Sequence, residues 1–192
     1  VMPENSTKER VQTMRAYGAK VTLTPADVGI EGARDYAESK VKNEGFIMMN
    51  QFSNDDNWKA HYKTTGPEIW RDTEGQITHF VSIMGTTGTI MGTSTFLKEQ
   101  NPNLQIVGVQ PTDESKIPGI RKWPQEYLPK IFDPKKVDKV MEVSELDATL
   151  MAKKLAKEEG IFAGMSSGGA ATVAFRLAEL LDSGTIVSIV CD

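Results

Sequence analysis

The feature that most limits the fold of this 192-residue chain is a regular alternation of helical and strand patterns. Helix-like runs, with apolar residues every three or four positions, are followed by short runs rich in β-branched residues from one end to the other. Such alternation is typical of βα units, in which helices connect parallel strands. We therefore predict an α/β fold with an open, doubly wound and mostly parallel sheet.

The first part of the chain illustrates these predictions. The run "STKERVQTMRAYGAK" is predicted to be a helix, with Ser6 and Glu9 as a capping box and Gly18 at its end. The run "KVTLT" is predicted to be a strand, and the helix that follows it to end at Gly45. The apolar run "FIMMNQF" is predicted to be a further strand, and Pro67 is predicted to interrupt a helix because proline lacks an amide proton.

The second part continues the same alternation. Strands are predicted in "ITHFVSIM", "LQIVGVQ", "KVMEV", "GIFAG" and "TIVSIV". Helices are predicted in "TGTIMGTSTFLKEQ", from Ser144 to Glu159 with Asp147 near its start, and in "SSGGAATVAFRLAELL". Residues 111 to 136 are rich in proline and form a long irregular excursion, which is unusual inside a compact domain and points to a functional loop.

Composition excludes several classes of function. Lysine and arginine total 22 against 26 aspartate and glutamate, and the two signs are mixed along the chain, so we expect no nucleic-acid partner and no membrane partner. No apolar run reaches the roughly 18 residues of a membrane span, and we expect a soluble, cytoplasmic protein. His61 and His79 share no metal-ligand spacing, so no metal site is expected, and the single Cys191 is predicted to be core packing.

Both ends of the chain look cut. At the N-terminus, the sequence from Val1 resembles the last residues of a strand. At the C-terminus, the last predicted strand ends at Asp192, and no predicted helix follows it to cover the sheet. Each strand of a doubly wound sheet needs helices on both faces, so we expect the chain to be a segment of a longer protein.

The loop "MGTTGT" follows a predicted strand and precedes a predicted helix. Gly85 and Gly88 let the backbone approach a ligand closely, while successive amides and threonine hydroxyls line the turn. The amides of the helix N-terminus add partial positive charge, so the loop could hold a phosphate without lysine or arginine. The alternative is a tight turn with an ordinary helix cap.

A second loop, "GMSSGGAA", also joins a predicted strand to a predicted helix. Ser166 or Ser167 would serve as the helix N-cap. The run Gly164 to Gly168 has the Gly-x-Ser-x-Gly form of a hydrolase nucleophile elbow, but no histidine follows His79 to act as its base. A hydrolase is therefore disfavoured.

Several motifs together resemble one enzyme family. The runs "GPEIW", "MGTTGT", "IPGIRKWPQEYLP" and "GIFAGMSSGGA", in this order and at these separations, resemble the cysteine synthase B (O-acetylserine sulfhydrylase B) group of the fold-type II pyridoxal phosphate enzymes. The resemblance extends over nearly the whole chain. It implies that residues 1–50 are the remaining part of a small mobile domain, incomplete in this chain, and that residues 51–192 are most of the large cofactor domain.

The resemblance also assigns roles to residues. It implies that Ser166 contacts the pyridine nitrogen of pyridoxal 5′-phosphate, and that Gln51 holds the substrate α-carboxylate. It implies that Arg121 and Lys122 lie in a lid and help to accept nucleophiles larger than sulfide; otherwise they are solvated charges. The residues expected to cradle the cofactor phosphate are Gly85, Thr86, Thr87, Gly88 and Thr89.

The chain departs from the family in one respect. The family's cofactor-anchoring lysine, in a Ser-x-Lys-Asp-Arg type segment, and its Thr-Ser-Gly-Asn-Thr-Gly substrate loop have no match here. No catalytic residue is therefore assigned to this chain, and we expect it to be inactive alone. The intact enzyme is expected to be a homodimeric transferase of cysteine biosynthesis, which forms L-cysteine from O-acetylserine and sulfide or thiosulfate.

Two alternatives stay open. Within the family, the chain could come from an enzyme like cystathionine β-synthase or serine dehydratase; the short "IPGIRKWP" excursion is the reason for preferring the B group. Outside it, the chain could be a non-catalytic module that binds a phosphoanion or another protein. A lysine-bearing segment encoded upstream of Val1 would exclude this second alternative.

Overall fold

A computed structural model describes residues 1–191 and divides the chain into two compact units, Val1–Asn50 and Gln51–Asp192. The first unit contains two short parallel strands, β1 (Met2–Pro3) and β2 (Leu23–Thr24). Its helices are α1 (Lys8–Ala16) and α2 (Gly29–Glu44), and α2 ends at Gly45 in the left-handed conformation that glycine adopts easily. That this unit belongs to a small mobile domain stays a prediction.

The second unit is built on a four-stranded parallel sheet in the order β5, β4, β3, β6. The helices and strands follow one another along the chain as α3 (Asp56–Lys63), α4 (Thr65–Asp72), β3 (His79–Ile83), α5 (Gly88–Gln100), β4 (Gln105–Pro111), β5 (Lys139–Val143), α6 (Glu145–Lys154), α7 (Met165–Ala178) and β6 (Ile186–Ser188). Helix α6 continues as a π-helical turn over Leu155–Glu159.

The sheet has an apolar core on each face. Phe80 and Ile106 belong to one cluster, with side chains of α4 and α5, while the next residues Val81 and Val107 belong to the other, with side chains of α6 and α7. Successive strand residues point to opposite faces, so both faces are covered by helices. The prediction of an α/β fold with a doubly wound parallel sheet is confirmed.

The strand order places a switch point between β3 and β6. The chain proceeds outward from β3 through β4 to β5 and then returns to add β6 on the other side of β3. Ligands of open α/β sheets bind beyond the carboxyl ends of the strands at such a point. The loop that leaves β3 there is "MGTTGT".

Local signals at helix ends were mostly reliable. Ser144 Oγ accepts a hydrogen bond from the Asp147 amide at 3.1 Å, as the sequence predicts. The predicted interruption near Pro67 occurs three residues earlier, at Thr64, between α3 and α4. Pro67 therefore lies in the first turn of α4, where a helix amide needs no intrahelical acceptor.

Several predictions of local structure were wrong. Helix α1 has Thr7 rather than Ser6 at its N-cap, without a side-chain cap. Neither "FIMMN" nor "GIFAG" forms a strand in the described part of the chain, and Ile47 and Phe162 are exposed. Apolar composition alone does not make a strand, which also needs a neighbour to complete its hydrogen bonds. Cys191, predicted to be core packing, is exposed.

No helix within residues 1–191 combines the length and the apolar character that crossing a membrane requires.

Candidate active site

The turn between β3 and α5 has the chemical features of an anion cradle. Thr87 precedes α5 and adopts φ +70°, a left-handed conformation that is unfavourable for a β-branched residue. Its side chain is buried, and among the described residues its Oγ1 atom has no hydrogen-bond partner. An unpaired buried hydroxyl is costly, and the Thr87 hydroxyl is therefore available to donate its proton to a ligand at this turn.

The two glycines of the cradle are required by close contacts. A Cβ atom built on Gly85 would lie 2.7 Å from the carbonyl oxygen of Gly119, and one built on Gly88 would overlap the Asn57 side-chain amide. Both contacts are closer than real carbon atoms allow, so any residue larger than glycine would displace the Gly119 carbonyl or the Asn57 side chain. The turn can pack this closely against its neighbours only because these two positions carry no side chain.

The other two threonines of the cradle contact helix α3. Asn57 Nδ2 donates to Thr86 Oγ1 at 3.1 Å, and Thr89 Oγ1 lies 3.2 Å from His61 Nε2. The other ring nitrogen of His61, Nδ1, lies 2.9 Å from Thr65 Oγ1. Burial lowers the pKa of His61, which favours the neutral imidazole at neutral pH.

The irregular excursion holds the start of the cradle. The Arg121 amide donates to the Met84 carbonyl at 2.8 Å, and Trp123 Nε1 donates to the Gly85 carbonyl at 2.7 Å. In a planar trans peptide the N–H points opposite to the carbonyl, so these bonds direct the amides of Gly85 and Thr86 away from the excursion. The Trp123 ring also packs edge-on against Phe52, at 5.3 Å between centroids.

Ser166 lies near the cradle, with Gly119 between them. Ser166 is buried in the first turn of α7, and a Cβ atom built on Gly119 would be 3.5 Å from its Cβ and 3.7 Å from its Oγ. The same Gly119 touches the position of Gly85. The expectation that Ser166 or Ser167 caps α7 was wrong: the N-cap is Gly164, with no side-chain cap, and Ser167 Oγ accepts from the Cys191 amide at 3.0 Å.

The three expected substrate residues are all exposed. Gln51 lies in a turn, and its carbonyl oxygen accepts from Asn57 Nδ2 at 2.6 Å. Lys122 Nζ pairs with Asp113 at 2.5 Å and with Glu142 at 2.8 Å, and its hydrogen bonds to these two carboxylates raise the pKa of the ammonium. A substrate anion at Lys122 would therefore compete with two carboxylates.

Arg121 lies beside an aromatic ring: its guanidinium carbon is 5.9 Å from the Trp123 ring centroid. Its role and those of Gln51 and Lys122 stay predictions. No lysine among the described residues is buried, so none has the desolvated setting in which a lysine becomes a strong nucleophile at neutral pH.

Sequence reasoning missed the residues that support the cradle. Asn57, His61, Gly119 and Trp123 were not assigned to the site, although each contacts it. The four-residue spacing of Asn57 and His61 on a predicted helix was an available signal, since such residues share one helix face. Nothing in the local sequence shows that this face meets the cradle.

Fold and site together define an α/β protein with a turn rich in glycine and threonine at the switch point of its parallel sheet. The whole chain, residues 1–192, matches the family of pyridoxal-phosphate dependent enzymes. The chain belongs to this family. The resemblance noted from the sequence motifs is therefore confirmed, as is pyridoxal phosphate as the family's cofactor.

Two curated relatives of this chain are cysteine synthases. The chain is 55% identical to cysteine synthase B of Pseudomonas aeruginosa and 52% identical to cysteine synthase B of Escherichia coli. Both matches cover 100% of this chain, but only 64% of the first relative and 63% of the second. The chain thus spans a little under two thirds of the length of these relatives.

A solved structure supports the same fold. A hydrogen sulfide-producing enzyme of Fusobacterium nucleatum matches with a TM-score of 0.91 and 33% identity, over 100% of this chain and 68% of that one.

Proposed function

We propose that this chain supplies the phosphate and ring contacts of a pyridoxal phosphate-dependent enzyme that forms L-cysteine from O-acetylserine and sulfide, or thiosulfate. The observation that carries the proposal is the 55% identity to a cysteine synthase B over the whole chain. The site supports it, because the cradle and Ser166 both adjoin Gly119.

The residues of the site fit the cofactor. The buried Thr87 hydroxyl, which has no partner among residues 1–191, would bind the phosphate dianion together with the hydroxyls of Thr86 and Thr89 and the N-terminus of α5. Ser166 would place its hydroxyl at the pyridine nitrogen, and a hydroxyl, unlike a carboxylate, does not hold that nitrogen protonated. When bound, pyridoxal phosphate supplies a moderate electron sink suited to replacement at the β-carbon of an amino acid.

Other residues would bind and orient the substrates. Gln51 would hold the α-carboxylate, and Arg121 would attract an anionic sulfur nucleophile at the edge of the site. Lys122 would take part only when one of its two carboxylate partners moves away. The proton transfer at the α-carbon would need a lysine from chain upstream of Val1, in the small domain to which residues 1–50 would belong. We also propose a cytoplasmic homodimer.

Product analysis of the longer protein tests the reaction. The protein carrying these residues and the upstream lysine segment is incubated with O-acetylserine and sulfide, and we expect L-cysteine and acetate. Parallel reactions contain serine with homocysteine, or serine alone. Cystathionine or pyruvate as the main product, without cysteine, would contradict the proposed reaction while leaving the phosphate site intact.

A further inference from the structure

One helix contacts two of the three threonines in the cradle. Asn57 and His61 are four residues apart on α3, so their side chains lie on the same face. This face meets α5, and the two helices are so close that a Cβ atom on Gly92 would overlap the carbonyl oxygen of Trp58. Helix α3 is therefore held firmly against the helix that begins at the cradle.

The direction of the hydrogen bonds at Asn57 follows from its partners. The Gln51 carbonyl oxygen can only accept, so the Asn57 atom 2.6 Å from it must be the Nδ2 donor. The same Nδ2 group lies 3.1 Å from Thr86 Oγ1, which also lies 3.4 Å from the Gly88 amide. Thr86 Oγ1 accepts in both contacts, which leaves its own proton available for another acceptor.

His61 has the corresponding position at Thr89. Its ring lies between two threonine hydroxyls, with Nε2 toward Thr89 and Nδ1 toward Thr65. A neutral imidazole has one N–H donor and one bare nitrogen. If the proton is on Nε2, Thr89 accepts it and keeps its own proton; if it is on Nδ1, Thr89 donates to the ring instead.

A bound phosphate dianion would favour one of the two positions of the His61 proton. It presents oxygen acceptors, and the cradle residues Gly85 to Thr89 include no lysine or arginine. A hydroxyl whose proton is committed elsewhere would turn its lone pairs toward the phosphate and repel it. We infer that Asn57 and His61 are positioning residues, which direct the hydroxyl protons of Thr86 and Thr89 toward the phosphate, with the His61 proton on Nε2. The inference rests on the proposed phosphate site.

The test compares two probes that lack an aldehyde and so cannot bond covalently to a lysine: 4′-deoxypyridoxine 5′-phosphate and 4′-deoxypyridoxine. Their affinities are measured by calorimetry on the apo form of the longer protein. We expect Asn57→Ala and His61→Leu each to weaken binding of the phosphorylated probe by about 10- to 100-fold, because the threonine hydroxyl that each residue holds would lose its directed hydrogen bond to the charged phosphate. The affinity for the unphosphorylated probe should change by less than about twofold.

Two further variants serve as controls. His61→Gln keeps a side-chain N–H donor and should restore most of the lost affinity. Tyr62→Phe removes the hydrogen bond of 2.7 Å from Tyr62 to Glu99, another α3–α5 contact, and should change neither affinity. Equal weakening of both probes in Asn57→Ala and His61→Leu would mean that these residues only support the fold, which would overturn the inference.

Binding of the two probes to the wild-type protein tests the phosphate site separately from the positioning role. If it binds both probes equally, the phosphate site itself is wrong, and the positioning role is refuted with it. If it prefers the phosphorylated probe and the variants do not fold, nitrogen NMR of labelled histidine in the wild-type complex decides the question. A His61 ring with a proton on Nε2 supports the inference, and a bare Nε2 overturns it.

Discussion

Replacement of Thr87 by valine should change stability and ligand binding in opposite directions. Valine has the shape of threonine but carries a methyl group in place of the hydroxyl. The Thr87 side chain is 2% exposed, and its Oγ1 atom has no partner among the described residues. An unpaired buried hydroxyl costs about 1–3 kcal/mol, so Thr87→Val should raise the free energy of unfolding of the apo protein by about this amount.

The same substitution should weaken the phosphorylated cofactor analogue. The hydroxyl would donate to a charged phosphate oxygen, and such hydrogen bonds contribute about 1.5–3 kcal/mol, or roughly 10- to 100-fold in affinity. Thr87→Ser is the matched control: it keeps the hydroxyl and should retain most of the affinity, while losing about 0.8 kcal/mol of stability with the buried methyl group.

Urea unfolding of the apo protein and calorimetry with 4′-deoxypyridoxine 5′-phosphate measure the two effects. An unchanged slope of the unfolding free energy against urea concentration would show that the substitution changes stability without changing the compactness of the unfolded state. A Thr87→Val protein that is less stable than the wild type and binds the phosphorylated analogue equally well would refute the reasoning.

Three further predictions concern the same site. Gly88→Ala should weaken the phosphorylated analogue at least about tenfold, because its Cβ would displace the Asn57 amide. Trp123→Phe should weaken it by about three- to tenfold, since the Gly85 carbonyl loses its indole donor. The pKa of His61 is lowered by burial, so the unfolded chain takes up its proton first, and the unfolding free energy should fall as pH falls below about 6.5.

Each of these predictions has its own control. Calorimetry with the unphosphorylated probe should show little change for Gly88→Ala, and a Trp123→Phe protein with full affinity would remove the orienting role of the indole. Urea unfolding at several pH values tests His61: His61→Gln should flatten the dependence only in part, because burial also lowers the pKa of His79. An identical dependence in this variant would contradict the assignment to His61.

The fold was predictable because its signals are local. The alternation of periodicities indicated a doubly wound sheet, and residues such as Ser144 and Gly45 marked helix ends by their own chemistry. The strand predictions at "FIMMN" and "GIFAG" failed because pairing depends on neighbours distant in sequence. An apolar run cannot reveal whether such a neighbour exists.

The candidate site was predictable only in its innermost residues. The sequence predicts an anion cradle at Gly85 to Thr89 because glycine and hydroxyl residues follow a predicted strand directly. The supporting contacts from Asn57, His61 and Trp123 come from segments about 30 to 40 positions away, and only the packing of α3 and of the excursion brings them to the turn. The two carboxylates that neutralise Lys122 were hidden from the sequence for the same reason.

Phosphorus NMR of the longer protein loaded with pyridoxal phosphate tests the cradle most directly. Free phosphate monoesters take up a proton near a pKa of about 6. A dianion that accepts hydrogen bonds from Thr87 and its neighbours should resist this protonation, so we expect the chemical shift of the bound phosphate to stay constant between about pH 5.5 and about pH 8.5. A bound phosphate that titrates like the free cofactor would contradict the proposed cradle.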